Sequence, residues 1–237
     1  MGDPEVVVLA AMARELRPLA RALRMRADPV GGLPAWRGRG IVAVAVGVGP
    51  ERASAGTAHV LGQVRARRVL VVGVAGALDP ALEVGDLVRP EAVVDVRTAR
   101  VLVASRGGIP RSGVLATVDQ IFLRGDGQAA GTSAPPLPDG ATVVDMETAA
   151  IAAVADARGV GWDVVRAISD VAGTLTPDVA ALLSPDGRVR LSAAVRLVLR
   201  HPPAAGRLVR LGVDTNRALK AMTGAVVREL AAEGVRP

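Results

Sequence analysis

Hydrophobic and polar positions alternate between two rhythms along this chain. Residues 6–11 form an unbroken apolar run, rich in valine and of the length of a strand buried on both faces. Residues 14–24 switch to helical spacing, with Leu16, Leu19, Ala20 and Leu23 on one face. A second strand is predicted over 41–46, and a helix over 51–64 entered through Gly47-Val48-Gly49-Pro50. The third strand, 69–73, runs into a predicted small-residue turn, Val74-Ala75-Gly76-Ala77. Strands are further predicted over 87–96, 101–104 and 163–168. Val143-Val144 leads into a helix over 147–158, and helices over 193–200 and 207–233 close the chain around Pro202-Pro203. Such alternation predicts a layered α/β fold. The Gly- and Pro-rich stretch 125–140 predicts a mobile surface loop or lid. No repeat and no compositional break divides the chain, so one domain is expected over 1–237, with a basic helical extension from about residue 188.

Composition narrows the functional classes. The chain has 237 residues, half of them apolar, and no cysteine, which excludes disulfides, thiolate metal sites and cysteine nucleophiles. His59 and His201, the two histidines, stand in unrelated segments, so no metal site is predicted. The start, Met1-Gly2-Asp3-Pro4-Glu5, has neither a basic leader nor a cleavage site, and Val6 breaks the myristoylation pattern. No run reaches the roughly 18 apolar residues that span a bilayer. A soluble, cytoplasmic protein is expected.

The formal charge of +6 comes almost entirely from arginine, with Lys220 the one lysine, and reads as the coding bias of a GC-rich genome. Trp36, Phe122 and Trp162 are the whole aromatic set, too few for stacking on bases, and no nucleic-acid partner is expected. The excess sits in residues 188–237, where nine arginines and Lys220 face Asp214, Glu229 and Glu233. This tail reads as a solvated helix face or, alternatively, as a peripheral contact with an acidic membrane surface.

Three predicted strand ends carry polar residues that a packed core does not need: Glu15, Asp145-Met146-Glu147, and Ser169-Asp170. Ligands of α/β sheets gather beyond the carboxyl ends of the strands. Each acid taken singly also reads as a helix cap or dipole partner, and Met146 as an ordinary core methionine.

Four blocks carry a resemblance. They are Ala10-Ala11-Met12-Ala13-Arg14-Glu15, the segment from Gly73-Val74-Ala75-Gly76-Ala77 to Gly85-Asp86-Leu87-Val88, Val144-Asp145-Met146-Glu147-Thr148-Ala149-Ala150, and Val165-Arg166-Ala167-Ile168-Ser169-Asp170-Val171-Ala172. In order and spacing the chain resembles the superfamily of purine-nucleoside phosphorylases and methylthioadenosine/S-adenosylhomocysteine nucleosidases. Leu175-Thr176-Pro177, Ser184-Pro185-Asp186-Gly187-Arg188 and Leu197-Val198-Leu199-Arg200-His201-Pro202 are similar to its hopanoid-associated branch.

The resemblance implies a three-layer α/β/α fold with a mixed, partly barrel-like central sheet. It implies an enzyme that cleaves the N-glycosidic bond of a purine nucleoside, a 5′-modified adenosine such as adenosylhopane, and that assembles as a homo-oligomer. Methylthioadenosine/S-adenosylhomocysteine cleavage, or a silent member that binds a nucleoside or lipid, are the alternatives. By the same resemblance Asp170 protonates the purine at N7 with Ser169 orienting it, Glu147 grips the ribose hydroxyls, and Met146 lies against the sugar. Val74, Ala75 and Gly76 offer backbone groups, Phe122 or Ile121 packs on the base, and Glu15 activates water. No cofactor is implied, and phosphate stands as a possible co-substrate. Phosphorolytic relatives carry an arginine near the place of Glu15, and an arginine and a serine where this chain has Val71 and Val74. The residues thus favour water as nucleophile, while the hopanoid branch implies phosphate.

Overall fold

The computed structural model describes residues 5–105, 112–119, 136–170 and 203–235, with side chains from 209 onward in the last stretch. Its centre is β1 (Glu5–Ala10), parallel to β4 (Ile41–Ala45) on one side and β5 (Ala66–Ala77) on the other. Alternate residues of β1 enter opposite layers. Val7 and Leu9 join a core with residues of α2 (Pro50–Gln63) and α3 (Thr148–Ala157). Val6, Val8 and Ala10 join a second core with α1 (Ala13–Ala22) and the C-terminal helix α4 (Pro203–Ala232). An apolar run without alternation is what a strand covered on both faces requires.

The sheet has 11 strands and mixed pairing. Beyond β4 lie β3 (Ala35–Gly38) and β2 (Arg26–Ala27), both antiparallel additions. Beyond β5 come β10 (Ala141–Asp145), β9 (Val114–Thr117), β7 (Ala92–Asp95) and β8 (Arg100–Leu102). β11 (Trp162–Asp170) leaves this row, pairing with β5 and with the short β6 (Leu87–Val88). The mixed sheet flanked by helices is the expected fold class.

Several elements differ from their sequence reading. Val74 to Ala77 is not a turn: β5 continues through it, because β11 pairs along Val69 to Gly76 while β10 takes up Gly76 and Ala77. With partners on both sides, the small residues serve close approach instead. The single strand expected over 87–96 is split into β6 and β7 around Pro90, which cannot donate to a ladder. β2, β3 and β9 are short or carry arginine and left no apolar run to read. The helix over 193–200, and all but residues 136–140 of the 125–140 stretch, lie outside the described residues.

α4 buries Ala218, Met222, Val226 and Leu230, a four-residue spacing that keeps one stripe on the body of the protein. Arg68 binds Glu233 at 2.6 Å and Glu229 at 3.0 Å, and Arg89 bridges Glu229 to the buried Asp163. Glu229 and Glu233 thus meet Arg68 of β5 and Arg89 just beyond β6, Asp214 pairs with Arg210 of its own helix, and Val209 and Val213 near the start of α4 remain exposed. No helix among the described residues is long and apolar enough to cross a membrane.

Candidate active site

Glu15 occupies the first turn of α1 and is buried. Its Oε2 accepts the Met12 N–H at 2.9 Å, capping its own helix, while Oε1 reaches across to accept the Val74 N–H of β5 at 3.1 Å. One oxygen thus serves the cap reading, and the other ties α1 to β5. The Val74 N–H is spent on Glu15, and the Val74 side chain packs with the α1/α4 core.

Gly73 makes this approach possible. Its φ is +150°, and a Cβ there would stand 2.1 Å from Arg166 Nη1 and 2.7 Å from Glu15 Oε1. Arg166 is fully buried in β11 and spends its fork on the protein: Nη1 donates to the Val72 carbonyl at 3.1 Å, Nη2 to Thr148 Oγ1 at 2.7 Å and to Asp145. Asp145 also accepts the Thr117 hydroxyl at 2.7 Å, the Thr148 N–H at 3.1 Å and the Thr148 hydroxyl. Arg166, Asp145, Thr117 and Thr148 were given no role in the sequence reading. The available signal was an arginine inside an otherwise apolar strand, since a buried charge demands a partner.

Glu147 stands at the N-terminus of α3, buried, and its Oε1 accepts the Gly49 N–H at 2.9 Å. Gly49, with φ +87°, opens α2, so this bond ties the turn at 47–50 to the end of β10. Met146 is half-buried and packs on Val96, Ala116 and Val118, as a methionine at the edge of a core does.

Asp170 ends β11. The register shifts between Ile168, opposite Ala75, and Asp170, opposite Gly76, leaving Ser169 as an extra residue. A bulge of this kind re-aims the side chains around it. A Cβ on Gly76 would lie 3.0 Å from Asp170 Oδ2 and 3.3 Å from Val144, so Gly76 is the contact between the two acid-bearing strands. The Ser169 hydroxyl donates to Asp170 Oδ1 at 2.6 Å. Four residues of β5, Gly73 to Gly76, therefore contact Glu15, Arg166 and Asp170 and adjoin the strand that leads to Glu147. Ile121 and Phe122 lie outside the described residues.

Three of these acids hold their protons unusually well. Burial raises Glu15, opposed chiefly by the Arg166 charge and then by the Val74 and Met12 N–H groups. Burial raises Glu147 to about 7, helped by the negative charge of Asp145 and opposed by the Gly49 N–H and Arg166. Burial also raises Asp170, partly offset by the Ser169 hydroxyl. Buried acids of raised pKa with one fixed guanidinium suit proton donation and the stabilisation of positive charge. Beside them a cavity of about 800 Å³ opens between α2, α3 and the β7–β8 hairpin. Pro50, Thr117 and Ala149 line it and adjoin the site, and Arg97 and Arg100 line it too. Among the described residues no cluster of His, Cys, Asp or Glu is arranged to hold a metal ion.

Known proteins share this frame. The profile of the phosphorylase superfamily matches residues 5–139 and 111–195. The 5′-methylthioadenosine/S-adenosylhomocysteine nucleosidase of Marinomonas sp. (strain MWYL1) is 28% identical over 172 residues, 60% of this chain and 73% of that protein. The Helicobacter pylori 5′-methylthioadenosine/S-adenosylhomocysteine nucleosidase, crystallised with a pyrrolopyrimidine pyrrolidinol, superposes with a TM-score of 0.70 at 18% identity, over 98% of this chain and 100% of that one. A futalosine hydrolase mutant of Helicobacter pylori gives a TM-score of 0.59 at 22% identity, over 70% of this chain and 89% of that one.

Proposed function

The chain belongs to the phosphorylase superfamily, and on that premise we propose that it cleaves the N-glycosidic bond between a purine and its ribose. The observation that carries the reading is the gathering of Glu15, Arg166 and Asp170 on the four residues from Gly73 to Gly76 of β5, next to the strand that leads to Glu147. Three steps along a strand span about 10 Å, a length over which a nucleoside can be held at base and sugar together.

In this reading Asp170, kept protonated by burial, gives its proton to N7 of the purine, and the electrons of the C1′–N9 bond leave with the base. A positioned acid of this kind contributes about 10²–10⁴ in rate. The ribose becomes cationic at C1′, where the buried carboxylates stabilise it, and Glu147 accepts hydrogen bonds from the sugar hydroxyls. Glu15 takes a proton from the attacking water as its oxygen bonds to C1′. The products are free base and free ribose carrying its 5′ substituent.

Water is favoured over phosphate. Arg166 is the buried cation of the site, and its nitrogens are committed to Val72, Thr148 and Asp145. Val71 is buried, Val74 offers no polar side chain, and Arg14 points to solvent. A phosphate dianion would therefore meet Glu15 with little to offset its charge.

The substrate we propose is an adenosine modified at its 5′ position. The relatives named for methylthioadenosine and adenosylhomocysteine support the smaller substituents. The sequence likeness at 175–177, 184–188 and 197–202 supports a triterpenoid one, and those residues lie outside the described structure. A homo-oligomer is proposed on the resemblance to the superfamily as a whole. Contact with an acidic membrane would fall to the start of α4, where Val209 and Val213 are exposed, because the stripe from Ala218 to Leu230 is already covered.

The test incubates the protein with methylthioadenosine, adenosylhomocysteine and adenosylhopane, each with and without phosphate, and follows release of adenine. Release without phosphate is the expected result. A strict need for phosphate would replace hydrolysis by phosphorolysis, and binding without release would favour the silent-carrier reading. The absence of both release and binding would overturn the proposal.

A further inference from the structure

Resting on the proposed cleavage reaction, we infer that Asp145 is a positioning residue for it, acting through Arg166, which Asp145 holds beside Glu15. Asp145 is buried and gives both of its oxygens to the protein. Its Oδ1 receives the Thr117 hydroxyl at 2.7 Å, and its Oδ2 receives the Thr148 N–H at 3.1 Å, the Thr148 hydroxyl and Arg166 Nη2.

The chain of contacts has a direction. Thr117, at the end of β9, donates to Asp145 and accepts the Ala149 N–H at 3.0 Å, so the first turn of α3 is locked to the end of β10. Thr148 donates to Asp145 and accepts from Arg166 Nε at 3.2 Å and Nη2 at 2.7 Å. The guanidinium is thereby pinned along one edge. Its opposite corner, Nη1, donates to the Val72 carbonyl at 3.1 Å and lies over Gly73, across whose α-carbon stands Glu15 Oε1, close enough for the positive charge to act on that carboxyl. Nε and Nη2 converge on the Thr148 hydroxyl oxygen while Nη2 also reaches Asp145, which fixes the plane of the guanidinium as well as its charge. The side chains of Arg166 and Asp145 are 1% and 2% exposed, so neither has water to replace a lost partner.

Asp145 also acts by its own charge. The groups that face Glu147 are Asp145 of β10, Arg166 of β11 and Glu15 of α1, besides the Gly49 N–H. After burial itself, Asp145 is the largest cause of the raised pKa of Glu147. Loss of that charge leaves Arg166 uncompensated, and both changes push Glu147 in one direction, toward ionising at lower pH.

Asp145→Asn keeps the shape and removes the charge. The expected result is a loss in kcat on the order of 10²-fold with KM little changed, as for a misplaced reacting geometry, together with an acid limb of kcat/KM displaced to lower pH. Asp145→Glu, which restores the charge, should bring the limb back. A fall in rate with the limb unmoved would overturn the inference and leave Asp145 a structural ion pair. Carboxyl-carbon NMR of Glu147 in wild type and Asp145→Asn gives a readout independent of turnover. A lower titration midpoint in the variant supports the inference even if the nucleosidase reading fails, and an unchanged midpoint overturns it. Should Asp145→Asn not fold, Thr117→Val removes one hydroxyl donor and leaves the charge. A several-fold loss in kcat is expected there, and an unaltered kcat would overturn the inference.

Discussion

Glu15 and Arg166 converge over the bare α-carbon of Gly73, from a helix on one side and a strand on the other. The carboxylate keeps one oxygen for the Val74 N–H, and the guanidinium keeps Nη1 for the Val72 carbonyl, so both flank Gly73 on β5. No side chain fits between them.

Gly73→Ala is therefore expected to be among the most damaging one-carbon changes in the protein. The methyl group would stand 2.1 Å from Arg166 Nη1 at a φ of +150°. Overpacking of this kind costs roughly 1–3 kcal/mol, and the displaced pair should lose most of its activity. Denaturant titration and steady-state kinetics check the two effects. A variant as stable and active as wild type would contradict the described approach.

Asp170→Asn should lower kcat by about 10²–10⁴ while adenine still binds, because the amide keeps the shape but cannot give up a proton. Calorimetric titration with adenine beside the rate of adenine release tests this. Equal rates in mutant and wild type would remove Asp170 as the acid.

The pH profile of kcat/KM should fall on both sides. Below about 7 Glu147 takes up a proton and can no longer accept two hydrogen bonds from the sugar. At higher pH Asp170, raised by burial, loses the proton it must deliver. A rate that is flat from pH 5 to 9 would be incompatible with both roles.

Glu147 also has a signature in stability. Its folded pKa of about 7 lies above the ordinary glutamate value of 4.5, so the folded state binds the proton more tightly. The contribution is fully present below pH 4.5 and is lost as pH rises through 7. Replacing it by the neutral Gln should thus raise stability at pH 8 by up to about 3 kcal/mol, less whatever the Gly49 hydrogen bond loses, while activity disappears. Thermal melts of Glu147→Gln and wild type at pH 5 and pH 8 check the sign. A gain at pH 5 that vanishes at pH 8 would refute it.

Arg68→Met addresses the anchor of α4. Breaking a buried ion pair from one side costs about 3–5 kcal/mol, and Arg68 serves both Glu229 and Glu233 with a side chain 11% exposed. The melting temperature should fall by several degrees, with turnover at low temperature retained. A melting temperature equal to wild type would show that the anchor lies elsewhere.

The sequence made the acids of the site visible and hid what holds them. Glu15, Glu147 and Asp170 stand at the ends of recognisable apolar runs, where polar residues have no packing reason to be. Arg166 was equally visible as a letter, but its meaning depends on Asp145, 21 residues away, and on Thr117 and Thr148. Val74 to Ala77 reads as a turn because small residues and glycine mark turns locally. Only the arrival of β10 and β11 on either side makes it strand. A helix over 207–233 is legible in the sequence, while the burial of Ala218, Met222, Val226 and Leu230 under β11 and α1 is a fact of tertiary structure.

The fork at β5 has a consequence for how such a protein can diversify. Its reactive groups are spaced by hydrogen-bond register, which moves only in whole residues and flips a strand's faces when it does. Their mutual geometry cannot drift by small degrees, so a lineage that keeps the reaction must leave that stretch alone. Novelty in what is cleaved is then channelled to the walls beyond it, such as the hollow between α2 and α3, where an exchange at Ala55, Ala150 or Ala153 resizes the chamber and leaves the acids in place.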